Sequence, residues 1–330
     1  MSKIIVVTGA TGLQGSGVID ALSANAGWRI RGVTRNTGSA KAQALVKRGI
    51  EMVVADFDDE DSLADAFVSA NAIFAVTDFF EPFATGIGPE KAMQVEYDRG
   101  VNMARAAVKT ATLETYFWST LPAAGELTKG EAPVPHFDGK GKVDAYIKND
   151  PVLNAKTIFL LTGMYASNFS YPQFTPIYSK PAGQYILALP ASASTYIPSL
   201  GPVTNIGVTV SGLLQYPFPK TASGPKGGRY VRVTTGNYRI QEYFSKWAEI
   251  AGKGKLQVLS VPLEQFEGLY GMWGTELGLM FKFWEVSGAP KMWGLLGDGD
   301  VMIDSRELEG VGDRLVSTED AWKLMNWDQF

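Results

Sequence analysis

Two short strings in this chain carry groups suited to chemistry. Gly9-Ala10-Thr11-Gly12-Leu13-Gln14-Gly15 repeats glycine every third residue, directly after an apolar run and directly before residues at helical spacing. Glycine permits a tight turn and close approach of backbone to a pyrophosphate. A helix N-terminus then offers free N–H groups and the positive end of its dipole. Farther along, His136 and Lys140 stand four apart, so on a helix they share one face. An imidazole can donate a proton near neutral pH. An ammonium can hold ribose hydroxyls and lower a neighbour's pKa. The plainer role for His136 is to cap or pack a helix start after Pro133 and Pro135.

The cofactor class follows from the end of the second apolar strand. Twenty residues after Gly15 the chain places Thr34-Arg35-Asn36. A guanidinium there suits a ribose 2′-phosphate, and no carboxylate precedes it to hold a 2′-hydroxyl, so NADP(H) is favoured over NAD(H). Lys41 adds charge nearby. Ligands of open α/β sheets lie beyond the carboxyl ends of the strands. Asp56 and Phe57, after a third strand, are therefore placed beside adenine, and Thr77, Asp78 and Phe79, after a fourth, beside the ribose and nicotinamide. Thr11, Leu13 and Gln14 belong to the phosphate turn itself.

The elements that must position these residues alternate. Lys3–Thr8, Trp28–Thr34, Glu51–Ala55, Ala72–Thr77, Thr115–Ser119 and Thr157–Leu161 read as buried strands, and helices are expected from Leu13, around Gln43–Lys47, over Ser62–Val68 and over Gly88–Thr110. This alternation predicts a doubly wound parallel sheet of Rossmann type with helices on both faces. Residues 1–160 are expected to form the NADP(H)-binding domain, and 161–330 to supply, for the most part, a smaller C-terminal α+β substrate domain. Arg229–Thr234 would return to the first domain's sheet. Tyr171–Pro202 reads as irregular, Asn237–Ala251 as a helix, and Met272–Val286 as a second, very aromatic helix. Six of eight tryptophans follow residue 245. Trp273, Leu277, Met280, Phe281 and Trp284 form one helical stripe, which is core by default and otherwise the wall of a pocket for a bulky, flat, apolar ligand. Tyr171, Phe174 and Tyr178 are candidates for a loop over the nicotinamide.

Composition excludes several classes. With no cysteine there are no disulfides, thiolate metal sites or cysteine nucleophiles, and one histidine cannot make a multi-histidine metal site. No metal is expected. The formal charge of −4 disfavours nucleic-acid binding. No apolar run reaches the roughly 18 residues of a membrane span. The N-terminal run leads straight into the glycine motif and lacks a signal-peptide cleavage site, so a cytoplasmic location is expected.

At these residues the chain resembles the NmrA-like family of atypical short-chain dehydrogenase/reductases. The matching stretches are Thr8–Gly15, Val33-Thr34-Arg35-Asn36, Thr77-Asp78-Phe79-Phe80-Glu81 and, the most specific, His136-Phe137-Asp138-Gly139-Lys140-Gly141-Lys142-Val143. Tyr165 to Asn168 is similar to the family's aromatic-x-x-Asn segment. The resemblance implies an NADP(H)-binding domain, Lys140 near the nicotinamide ribose, and Tyr165 and Asn168 beside the reactive end. It departs from ordinary short-chain dehydrogenases, whose Tyr-x-x-x-Lys is here His136-x-x-x-Lys140. Lys140, Tyr165 and His136 are therefore the catalytic candidates.

The favoured function is an NADPH-dependent reductase or dehydrogenase acting on a C=O, C=N or activated C=C of a bulky hydrophobic molecule. The family's fungal members point to secondary-metabolite biosynthesis, alkaloid or polyketide, with a cyclisation in the same pocket as an extension. The alternative is a non-catalytic NADP(H) sensor, which would signal through a regulatory protein partner or a homo-oligomer.

Overall fold

The computed structural model describes residues 2–23, 27–218, 227–294 and 296–328. Its main sheet has eight parallel strands. They are β1 (Lys3–Val7), β2 (Trp28–Thr34), β3 (Glu51–Val54), β4 (Ala72–Ala75), β5 (Thr115–Thr120), β6 (Thr157–Thr162), β11 (Arg229–Val233) and β14 (Val301–Asp304). The order is β14-β11-β6-β5-β4-β1-β2-β3. The strand near Arg229 lies in this sheet, with Val231 opposite Leu160. Six smaller strands form two three-stranded sheets: β7 (Met164–Tyr165), β10 (Tyr196–Gly201) and β12 (Gly236–Arg239) in one, and β8 (Ile177–Ser179), β9 (Gln184–Leu189) and β13 (Leu256–Ser260) in the other.

The helices are α1 (Leu13–Ser23), α2 (Ala40–Lys47), α3 (Glu60–Phe67), α4 (Phe80–Phe83), α5 (Pro89–Lys109), α6 (Ala124–Leu127), α7 (Pro135–Lys148), α8 (Pro151–Asn154), α9 (Thr204–Gln215), α10 (Ile240–Ile250), α11 (Leu263–Tyr270), α12 (Met272–Lys291) and α13 (Thr318–Lys323). Pleating sends alternate strand residues to opposite faces. Ile5, Val7 and Phe74 bury against Val18 and Ile19 of α1 and Ile206 and Val210 of α9. Val6, Ile73 and Trp118 bury against Leu63 of α3, Met103 of α5 and Val143 of α7. Helices α1 and α9 touch backbone to backbone, since a Cβ on Gly207 would lie 2.1 Å from the Gly17 carbonyl oxygen.

The C-terminal aromatics make a separate core. Phe169 stacks on Trp247 at 4.5 Å, and the Trp322 indole donates to the Ala166 carbonyl at 3.0 Å. Three expectations are corrected here. Tyr171–Pro202 is not irregular, because β8, β9 and β10 fall within it. Its proline and serine punctuation hides short strands whose buried residues alternate, as Leu187 and Leu189 do. The helix over Asn237–Ala251 begins only at Ile240, because Gly236–Arg239 pairs antiparallel with β10 and that pairing satisfies its backbone. Helix α12 continues past Val286 to Lys291, through a break at Gly288 (φ +64°).

Candidate active site

The carboxyl ends of β1, β4, β5 and β6 converge on one cleft. Thr8 closes β1, and its Oγ1 accepts the Val76 N–H at 3.0 Å, which ties the end of β1 to that of β4. Gly9 then turns at φ +56°, and α1 starts at Leu13. The third glycine is a matter of space, since a Cβ on Gly15 would lie 2.2 Å from the Gly9 carbonyl oxygen. The side chain after the turn crosses the cleft. Gln14 Nε2 donates to the Tyr165 hydroxyl at 2.7 Å, and burial pushes that phenol up to about 12.

One cavity of about 540 Å³ runs from this turn to α12. Every residue assigned above to catalysis or to the cofactor's phosphates, adenine, ribose or reactive end lines it, except Asn36. Asn36 is spent locally, its side-chain oxygen accepting the Gly38 N–H at 2.9 Å. Lys41 does not line the cavity either. Arg35 does, but its guanidinium is engaged, with Nη1 lying 2.5 Å from Glu81 Oε1. Glu81 Oε2 in turn meets Arg99 at 3.1 Å, and Arg99 clasps Asp58 through two bonds of 2.9 Å. Those bonds, more than burial opposes them, hold the Asp58 carboxyl below its ordinary range. The sequence reading had neither Glu81 nor Arg99 as a site residue.

At the opposite end, His136 and Lys140 do share the cleft-facing side of α7. Both, however, have buried acidic partners that the sequence did not reveal. The Lys140 ammonium donates to the Thr77 carbonyl at 3.1 Å and to Thr77 Oγ1 at 2.8 Å, and it lies 2.9 Å from Glu96 Oε1. Two of these contacts are hydrogen bonds, and the third is an ion pair. Glu96, on α5, is fully buried, and its Oε2 has no hydrogen-bond partner among the described residues. His136 is anchored by Glu276 of α12, whose Oε1 accepts the His136 backbone N–H at 2.9 Å and lies 2.6 Å from Nδ1.

Trp118 lies beneath Lys140, with the ammonium 5.6 Å from the ring centroid. Asp144 holds that indole, accepting Trp118 Nε1 at 2.8 Å and the Thr120 hydroxyl at 2.6 Å. Burial pushes the Asp144 carboxyl up to about 8. The native state therefore keeps a proton that the unfolded chain releases near pH 4, so stability falls as pH rises between about 4 and 8. Asp144→Asn keeps the acceptor oxygen and removes the charge. It is expected to raise Tm by about 2–5 °C near pH 9 and to change little near pH 4. Calorimetry across that range checks it, and an equal shift at both ends would contradict the account.

The far wall is apolar. Trp273, Leu277, Met280, Trp284 and Met292 line it, and Trp273 stacks on Phe80 at 5.6 Å. The aromatic stripe thus divides, with Phe281 turning into the core against Phe174 while its neighbours face the cavity. Tyr171, Phe174 and Asn168 line the cavity from above. Tyr178 does not. It is half exposed in β8, beside Tyr185.

A model of the NmrA-like family matches residues 1–305. An NmrA-like family domain-containing oxidoreductase of Aspergillus hancockii is 29% identical over 177 residues, covering 54% of this chain and 51% of the relative. Another, of Aspergillus flavus, is 24% identical over 334 residues, covering 98% and 95%. The chain spans about half the length of the first curated relatives it matches. Among solved structures, NmrA, a negative transcriptional regulator in complex with NADP, superposes with a TM-score of 0.70 at 18% identity, covering 98% of this chain and 95% of that one. Citrobacter sp. triphenylmethane reductase complexed with NADP(H) superposes with a TM-score of 0.69 at 18% identity, covering 98% and 99%. At these identities the superpositions establish the fold alone.

Proposed function

The chain belongs to the NmrA-like family, and on that premise we propose that it is an NADP(H)-dependent oxidoreductase for bulky hydrophobic molecules. The observation that carries this reading is continuity. The cavity that begins at the glycine turn ends on Trp273, Leu277, Met280 and Trp284, an apolar wall that nucleotide binding alone would not need.

The residues fit the dinucleotide. The turn leaves no room for a Cβ at Gly15, so backbone lies where phosphates approach, and the start of α1 presents its unbonded N–H groups there. Gln14 Oε1 and Glu96 Oε2, buried acceptors with no partner among the described residues, belong to side chains that line the cavity. Donors on a ribose or carboxamide would suit them. Arg35 would take the 2′-phosphate in exchange for Glu81. Asp56 and Phe57 would border adenine, Thr77, Asp78 and Phe79 the nicotinamide ribose, and Tyr165 and Asn168 the reactive end. When bound, NADPH supplies a hydride. The protein's share is to orient the acceptor against the aromatic wall, exclude water and deliver a proton. A role in fungal secondary-metabolite assembly, with a cyclisation following reduction in the same apolar pocket, extends this reading. The curated relatives with such domains are fungal oxidoreductases.

Two measurements test it. Oxidation of NADPH, followed at its absorbance band with hydrophobic ketones, imines and enones, is expected to show turnover. Tight NADPH binding with no turnover across all three classes would move the chain to the sensor reading, with a regulatory protein or a second copy as its partner. Arg35→Glu is expected to weaken NADPH about 30-fold or more, or about 2 kcal/mol, and NADH no more than about threefold. Equal losses in fluorescence titrations would remove Arg35 from the 2′-phosphate.

A further inference from the structure

We propose that Nε2 of His136 delivers the proton in this site, and that Glu276 is the positioning residue that sets it for that role. The inference rests on the reductase reading of the cleft and names the substrate class it serves. One carboxylate oxygen, Glu276 Oε1, receives both the His136 backbone N–H and the ring Nδ1. An ionised carboxylate accepts and cannot donate, so the proton between them must sit on Nδ1. That fixes the tautomer and leaves Nε2 as the one ring nitrogen free to exchange a proton.

The ring cannot turn away. Phe79, Phe80 and Phe137 surround it, with centroids at 5.8, 5.1 and 4.7 Å. Its side chain is 6% exposed and Glu276's only 2%, so water competes little for the 2.6 Å contact. His136 also lines the cavity. The two other catalytic candidates are poorer donors. The Lys140 ammonium donates to Thr77 and is ion-paired with Glu96, and burial pushes the Tyr165 phenol, which accepts from Gln14, up to about 12.

When bound, a reduced nicotinamide dinucleotide would supply the hydride, losing one C–H bond and becoming the oxidised nicotinamide, while a new C–H bond forms at the electrophilic carbon of the substrate. The π pair moves onto the carbonyl oxygen, imine nitrogen or enone oxygen. That atom takes the proton from His136 Nε2–H, the imidazolium becomes neutral Nδ1–H imidazole, and solvent restores its proton. The site therefore suits acceptors whose reduction leaves an anion. A carbocation takes hydride with no proton and gains nothing from the pair.

Because His136 is the chain's single histidine, ¹⁵N-histidine labelling of the full chain gives one imidazole signature. A two-bond ¹H–¹⁵N correlation of the wild type, recorded at rising pH until the ring signals stop moving, is expected to show Nδ1 protonated in the neutral ring. Glu276→Leu is expected to move the proton to Nε2. It should also lower turnover on ketones or imines about 100-fold, with hydride transfer to a preformed carbocation and NADPH affinity each changed less than threefold. A wild-type ring protonated on Nε2 alone overturns the proposal even if NADPH is consumed. So does a Glu276→Leu variant that keeps both the wild-type tautomer and the wild-type ketone turnover. A flat NADPH titration of the wild type instead overturns the reductase reading, a result the tautomer measurement cannot produce.

Discussion

Lys140→Met is expected to destabilise the fold by about 3–5 kcal/mol, because it strands the Glu96 carboxylate in the interior. The carboxylate is fully buried, the Lys140 side chain is 9% exposed, and their atoms lie 2.9 Å apart. Solvent therefore screens little of the interaction, and Thr77 Oγ1, which donates to Glu96 at 2.8 Å, cannot replace a charge. In a chain of this size the loss corresponds to a fall in Tm of about 6–15 °C. The double variant Lys140→Met, Glu96→Leu removes both charges and is expected to recover most of it, since a buried pair exchanged for apolar side chains is often close to neutral. Differential scanning calorimetry of the two single variants and the double decides the matter. Additive losses would mean that Glu96 and Lys140 act separately, and that Lys140 serves the cofactor alone. The same cycle read by NADPH titration separates the two roles, because affinity that follows Tm is structural, whereas a loss that persists in the double variant marks a side chain that holds the cofactor.

Gly15→Ala is expected to lower NADPH affinity by 100-fold or more, about 2.7 kcal/mol, while leaving a folded protein. The new Cβ would stand 2.2 Å from the Gly9 oxygen, 2.7 Å from the Gly9 carbonyl carbon and 2.9 Å from the Thr8 oxygen. All three are backbone atoms, so no side chain can swing aside, and relief comes only by moving the turn off the start of α1. Overpacking of this kind costs about 1–3 kcal/mol, which the remaining sheet can absorb. Gly12→Ala provides the comparison, because its Cβ would meet the Gly9 oxygen at 3.2 Å and ask for only a small adjustment. Fluorescence titration of both variants should rank Gly15 well above Gly12. The reverse order would mean that the turn is not the phosphate cradle.

What could be read from the chain itself was local. The β-branched run of β1 and the glycine turn specify a strand–turn–helix whatever surrounds them, because pleat and helical periodicity act over a few residues. His136 and Lys140 could be placed on one face for the same reason. Between β6 and α10, short strands punctuated by proline, glycine and serine lack a periodic run long enough to register. Helix α9 and strand β14 exist because the main sheet offers them a face and an edge.

The electrostatics of the site were settled only when the sheet brought distant residues together. Glu96 reaches Lys140 from 44 positions away, Glu81 reaches Arg35 from 46, and Glu276 reaches His136 from 140. A glutamate on an amphipathic helix looks like any solvated acid, and nothing in α5 or α12 distinguishes these from their exposed neighbours. Burial beside a cation or an imidazole gives Glu96 and Glu276 their roles, because removing water makes a carboxylate need a partner and makes that partner hold still. The local pattern thus determined the phosphate turn and the pair of residues on α7. The packing of α5 and α12 over the strand ends decided that the lysine is spent in a buried ion pair and that the histidine is held by one nitrogen.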